Sequence, residues 1–173
     1  MSMLETFKQL LAHQYAAALC TLNACIERCP DANWNAPVGS LAFCQVAFHA
    51  LFFTDLYLGQ DKEALRRQPF HRDHERFFRD YEELEDRPQQ WLYERPFIRA
   101  YLGHCRDKAS QAVAAETEQT LEARAGFGRD YSRAELHVVN IRHLQHHAAQ
   151  LSLRLRLDAH VQVPWFGSGW RDV

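Results

Sequence analysis

The chain of 173 residues is poor in residues that interrupt regular structure, with 7 Gly and 6 Pro. So few breakers exclude a fold of many short strands and favour long helices. No block of Lys or Arg interleaves with aromatics, and the formal charge is −2, which leaves a nucleic-acid surface without support. No stretch approaches about eighteen uncharged apolar residues, so no membrane span is expected. The closest, "LAFCQVAFHALFFT", has the length of a buried core helix. The N-terminal "MSMLETFKQLLAHQY" lacks the basic start, apolar run and cleavage site of an export signal. The five cysteines, an odd number, are then expected to be reduced, buried thiols of a cytoplasmic protein, the i, i+4 pair Cys25 and Cys29 included. Neither a glycine-rich phosphate loop nor a Ser-His-Asp arrangement occurs.

What is present is helical pattern. Apolar residues make up 47% and charged residues 24%, the balance of a globular protein, and the length suits one domain spanning 1–173. Leu4, Phe7, Leu11, Tyr15, Ala18, Leu22 and Ile26 recur at steps of three and four, which predicts a helix from 3 to about 28. "CPDANWNAPVGS" is a loop, and Ser40 is suited to cap a second helix over 41–58, with Gly59 closing it. That helix is apolar nearly all round and should be the most buried. Residues 60–95 are charged and contain Pro69 and Pro88, so they read as a long connection. One or two short helical pieces are expected there, around "DHERFFRDYEEL", with "EELED" a solvated face. A third helix should start at Pro96 and run to about 123. After "AGFGRDYS", Ser132 and Glu135 form the pattern of a capping box for a fourth helix to about 158. The tail, 159–173, is irregular and aromatic. These elements predict an all-α four-helix bundle. The connection of 36 residues can travel its length, giving an up-down-down-up order.

The stretch "LHVVNIRHLQHHAAQLSLRLRLD", 136–158, holds four of the ten histidines in its first twelve positions. At about 100° per residue, with His143 at zero, His147 lies near 40°, Gln150 near −20° and His146 near −60°. Arg142, Gln145, Ala149, Ser152 and Arg156 occupy the other side, which places the histidines within a wide apolar arc. A buried imidazole without a partner costs about 1–3 kcal/mol. The i, i+4 pair His143 and His147 has the spacing that lets two imidazoles chelate one ion. His143 and His146, at i, i+3, form an alternative pair. His49 is the one strongly basic group of the apolar second helix. It lies about 13 Å from its helix start, against about 15–21 Å for His143 and His147, so the levels meet if the two helices are antiparallel neighbours. Three histidines leave positions open on an ion, the arrangement of a catalytic site. His104 in "YLGHCRDK" is a spare candidate and reads as a boundary residue. His71 and His74 in "HRDHE" read as solvated, and His13, His137 and His160 show no partner spacing.

"FHALFFTDLYL" after a Trp-containing loop, "FIRAYLGHCRDKA" and "RHLQHHAAQLSLRLR" together resemble the DinB/YfiT-like superfamily of metal-dependent proteins, over about 5–157. That pattern has a His on the second helix and HxxxHxxQ on the fourth. The resemblance implies a four-helix bundle, usually a homodimer, holding a divalent ion such as zinc or nickel. The implied ligands are His49, His143 and His147, with Gln150 behind them. His147 is preferred to His146 because it completes HxxxHxxQ. Implied too is an enzyme acting on small molecules, transferring a low-molecular-weight thiol such as mycothiol or bacillithiol to an electrophile, or isomerising maleylpyruvate with a thiol cofactor. Hydrolysis by metal-activated water and a non-catalytic, stress-associated metal-binding dimer are the alternatives. "PWFGSGW" could line a cavity, pack on a second subunit or pack as an ordinary tail.

Overall fold

A computed structural model of the chain describes residues 1–78 and 82–172 and, at position 82, the backbone alone. It is predominantly helical. Helix α1 (Met3–Arg28) begins where Ser2 Oγ accepts the Glu5 N–H at 3.1 Å. The expected apolar stripe is buried from Leu11 to Ile26. Strands β1 (Pro37–Val38) and β2 (Leu41–Ala42) form a small antiparallel hairpin, turning at Gly39 with φ +67°. That left-handed conformation is open to glycine at no steric cost. Ser40 is therefore a turn residue and not the expected cap. Helix α2 (Phe43–Leu58) starts two residues later than the predicted 41, its first turn closed by Gln45 Oε1 accepting the Ala42 N–H at 2.8 Å. Its expected burial nearly all round is observed.

The connection departs most from expectation. Its described residues hold three short helices, α3 (Lys62–Arg67), α4 (Pro69–Asp73) and α5 (Glu75–Phe78), and a 3-10 turn over Glu82–Leu84. Part of the expected "DHERFFRDYEEL" helix, 79–81, lies outside the described residues. Phe78 and His71 are buried and stack with ring centroids 3.8 Å apart. Helix α6 (Arg95–Ala115) ends before the predicted 123 because Thr117 offers a competing cap. Its Oγ1 accepts the Thr120 N–H and starts α7 (Glu118–Glu122). Ser132 caps α8 (Arg133–Ala159) as predicted, accepting the Glu135 N–H at 3.2 Å.

Helix α2 packs on α8 and α6, and α1 packs on the same two. Individual bonds give the relative directions. The Arg133 guanidinium at the start of α8 donates to the carbonyls of Tyr57, Leu58 and Gly59 at the end of α2. Further along, Asn140 donates to the Thr54 carbonyl. Between α2 and α6, Cys105 reaches Leu51 O and Lys108 reaches Asp55. Between α1 and α6, Arg95 donates to Ile26 O and Cys29 O, and Lys8 to Ala114 O. Tyr15 meets His137, and Cys25 meets Ala148 O, between α1 and α8. The tail returns along α1, with Arg28 bound to Gln162 O and the Gly169 N–H to His13 O. Trp170 lies under Arg106, so this tail packs on α1 and α6. Among the described residues, no helix is long and apolar enough to cross a membrane.

Candidate metal centre

His49 sits halfway along α2 on the side facing α8, and His143 and His147 sit one turn apart on α8. The antiparallel contact of these helices brings the three together, across 94 residues of sequence for His49 and His143. Nε2 of His143 lies 3.3 Å from Nε2 of His49 and 3.1 Å from Nε2 of His147. Two metal–nitrogen bonds of about 2.0–2.1 Å, at angles between octahedral and tetrahedral, separate their nitrogens by about 2.8–3.4 Å. Both separations fall in that range. Among the described residues this is the one trio of His, Cys, Asp or Glu with ligand atoms so close together.

The outer nitrogens show how two of the rings are aimed. Glu83 Oε2 is 2.5 Å from His49 Nδ1, and its side chain is 8% exposed. Gln150 Oε1 is 2.8 Å from His147 Nδ1. Each oxygen accepts an Nδ1–H, which leaves the Nε2 lone pair pointing inward, as a metal ligand requires. Nδ1 of His143 is buried with no partner among the described residues. Burial, reinforced by the neighbouring imidazoles, lowers His143 to about 3 and His147 to about 4. Both are thus neutral near pH 7, the form that ligates. Phe53 closes one side, with its ring 4.9 Å from His49 and 5.3 Å from His143. An open concavity of about 500 Å³ lies along α8, lined by Val139, Arg142, His143, Gln145 and His146, so that of the three histidines it touches His143.

His146 does not join the trio. It is exposed, and its Nε2 is 3.1 Å from the Gln150 amide nitrogen. Gln150 thereby links His146 to His147. The flank of the predicted apolar arc that carries them is less covered than the wheel suggests, with Leu153 55% and Leu157 58% exposed.

Two histidines that lacked a signal in sequence, His71 and His137, are buried, and His104 is half-buried, as its boundary reading expected. His71, expected in solvent, donates from Nε2 to Asp55 Oδ2 at 2.7 Å inside the core. Tyr101 donates to the same oxygen, while Lys108 at 2.5 Å and His104 at 3.4 Å reach Oδ1. Burial opposes the Asp55 charge, but the bonds from His104 and His71 and the Lys108 ammonium hold its carboxyl well below the usual range. Asp55 had a sequence signal, as the single carboxylate of the most apolar helix. His137, with no partner spacing in sequence, accepts from Tyr15 OH at 3.0 Å and donates to Glu116 at 2.9 Å. The functional candidate that sequence reasoning missed is Glu83. It stands in the "EELED" run expected in solvent, and nothing in that run marks one glutamate above another.

The sequence pattern of the DinB superfamily matches residues 6–151, most of the chain. The chain belongs to the DinB superfamily. No curated protein and no solved structure matches it.

Proposed function

We propose that this DinB-superfamily protein is a divalent-metal-dependent enzyme whose ion, zinc or nickel, is held by Nε2 of His49, His143 and His147. The observation that carries this reading is the convergence of three imidazole Nε2 atoms from α2 and α8. A divalent ion so held lowers the pKa of a thiol or water at its open side and supplies a nucleophile near neutral pH. The protein's part is to aim His49 and His147 through Glu83 and Gln150, and to keep water from one side with Phe53.

For thiol transfer to a small electrophile, the state of the chain's own sulfurs decides where the thiol comes from. All five cysteines are buried. Burial raises every one, Cys25 to about 12 and Cys29 to about 11, with Cys20, Cys44 and Cys105 also raised. A reactive thiolate must then come from outside, as a low-molecular-weight thiol, and the concavity beside His143 gives it an approach.

The pairwise contacts support reading residues 1–173 as one domain. In it α1, α2, α6 and α8 form a four-helix bundle in up-down-down-up order. The exposed Leu153 and Leu157 support a homodimer formed through α8, and the five reduced thiols suit the cytoplasm. The decisive measurement is the metal content of the purified protein beside a His143→Ala, His147→Ala double variant. One divalent ion per chain is expected in the first and none in the second. A metal-replete wild-type protein without stoichiometric ion would sink the reading. A panel of small thiols with an electrophile then tests the chemistry, which must disappear on chelation.

A further inference from the structure

Glu83 belongs neither to α2 nor to α8, yet it makes the closest polar contact of any His49 ring atom. It comes from the connection, 34 residues away in sequence. Its side chain is nine-tenths buried, and its second oxygen, Oε1, is buried with no partner among the described residues. A surface carboxylate left free would turn both oxygens to water, so this burial needs a compensating attraction. His49 Nδ1–H is what Oε2 finds. Because Nδ1 and Nε2 lie on opposite edges of the ring, Glu83 cannot reach an ion at Nε2 and can act only through the imidazole.

We infer that Glu83 is a positioning residue that couples metal binding to the order of residues 82–88. This rests on the proposed His49, His143, His147 centre. An ion on Nε2 requires the proton on Nδ1 and makes that N–H a stronger donor, which tightens the bond to Glu83. Conversely, Glu83 fixes the tautomer and ring orientation and makes Nε2 a better ligand. Loss of such a partner weakens metal affinity about 10–100-fold. Reciprocity of linkage requires the metal to tighten the contact by the same factor.

The described segments on either side are held independently of the ion. Residues 62–78 are pinned by His71 and Gln68 to Asp55. Residues 89–93 are pinned by Gln45 Nε2 to the carbonyls of Gln89 and Trp91, and by Trp34 Nε1 to Tyr93 O. Among the described residues between these anchors, Glu83 is the contact to the metal centre, so the coupling is local.

The test uses the full chain with zinc or nickel as the probe, in wild type, Glu83→Gln and Glu83→Ala. Calorimetric titration should show affinity weakened about 10–100-fold in Glu83→Ala, with Glu83→Gln between, because a neutral amide oxygen still accepts Nδ1–H. Metal should slow hydrogen exchange of peptides spanning 82–88 in the wild type and not in Glu83→Ala, leaving 62–78 unchanged in both. Imidazole ¹⁵N spectra of the metal-free protein should report His49 protonated on Nδ1 in the wild type and as mixed tautomers in Glu83→Ala. Wild-type affinity in Glu83→Ala, or metal-dependent protection that persists there, overturns the coupling while leaving the centre standing. A wild type that binds neither metal overturns both.

Discussion

Buried histidines carry the pH response of this protein. His71 and His137 donate from Nε2 to Asp55 and Glu116, and burial holds both imidazoles below their ordinary 6.5. The unfolded chain therefore takes up protons near pH 6.5 that the folded chain refuses. Stability is fully present above that pH and falls as the pH drops below it, by up to about 1.4 kcal/mol per pH unit for each group. In metal-free protein His143 and His147 add to the loss in the same direction. Asp55 and Glu116, held below ordinary carboxylate values, contribute stability present above about pH 4 and lost as the pH falls further. Urea midpoints at pH 7.5, 6.0 and 5.0 should descend steadily below the first. A flat series would mean that these imidazoles are charged in the folded protein.

Arginines at the starts of two helices close the ends of two others. Arg95, the first residue of α6, donates to carbonyls at the end of α1, and Arg133, the first residue of α8, to carbonyls at the end of α2. A planar guanidinium can serve several carbonyls at once, and its charge favours the negative end of the helix dipole. Arg133 also pairs with the buried Glu116. Arg133→Ala should cost about 1.5–3 kcal/mol or more, since a charged donor is lost and Glu116 keeps only neutral donors. Arg133→Lys should recover little, because one ammonium cannot span that set. Urea denaturation gives the magnitude, and faster exchange of the last turn of α2 gives the location. An alanine variant as stable as the wild type would show that water caps α2 equally well.

At the scale of the whole molecule, the uncovered flank of α8 is the feature with a consequence for assembly. His146, Gln150, Leu153 and Leu157 follow one another at steps of three and four along that face, next to the proposed ligands. A second copy packed there would bury two leucines now more than half exposed. Light scattering should therefore find a dimer in the wild type and a monomer in the Leu153→Glu, Leu157→Glu double variant. The variant should bind metal as the wild type does, because the three proposed ligands come from one chain. A monomeric wild type would remove the dimer from the reading.

Local geometry made much of this legible in sequence. The 3.6-residue period fixes α1 and α8, Ser132 starts α8, and the same period puts His143 and His147 one turn apart on one face. His49 stood out because a basic ring is costly in so apolar a helix. What sequence could not contain were pairings between distant positions: Glu83 with His49, His71 with Asp55, and Tyr15 with His137 across 122 residues. Charged residues in a proline-broken segment carry no period, so composition alone assigns them to solvent. Only packing decided otherwise, because Asp55 and the outer edge of His49, once drawn into the interior with α2, need partners that water no longer supplies.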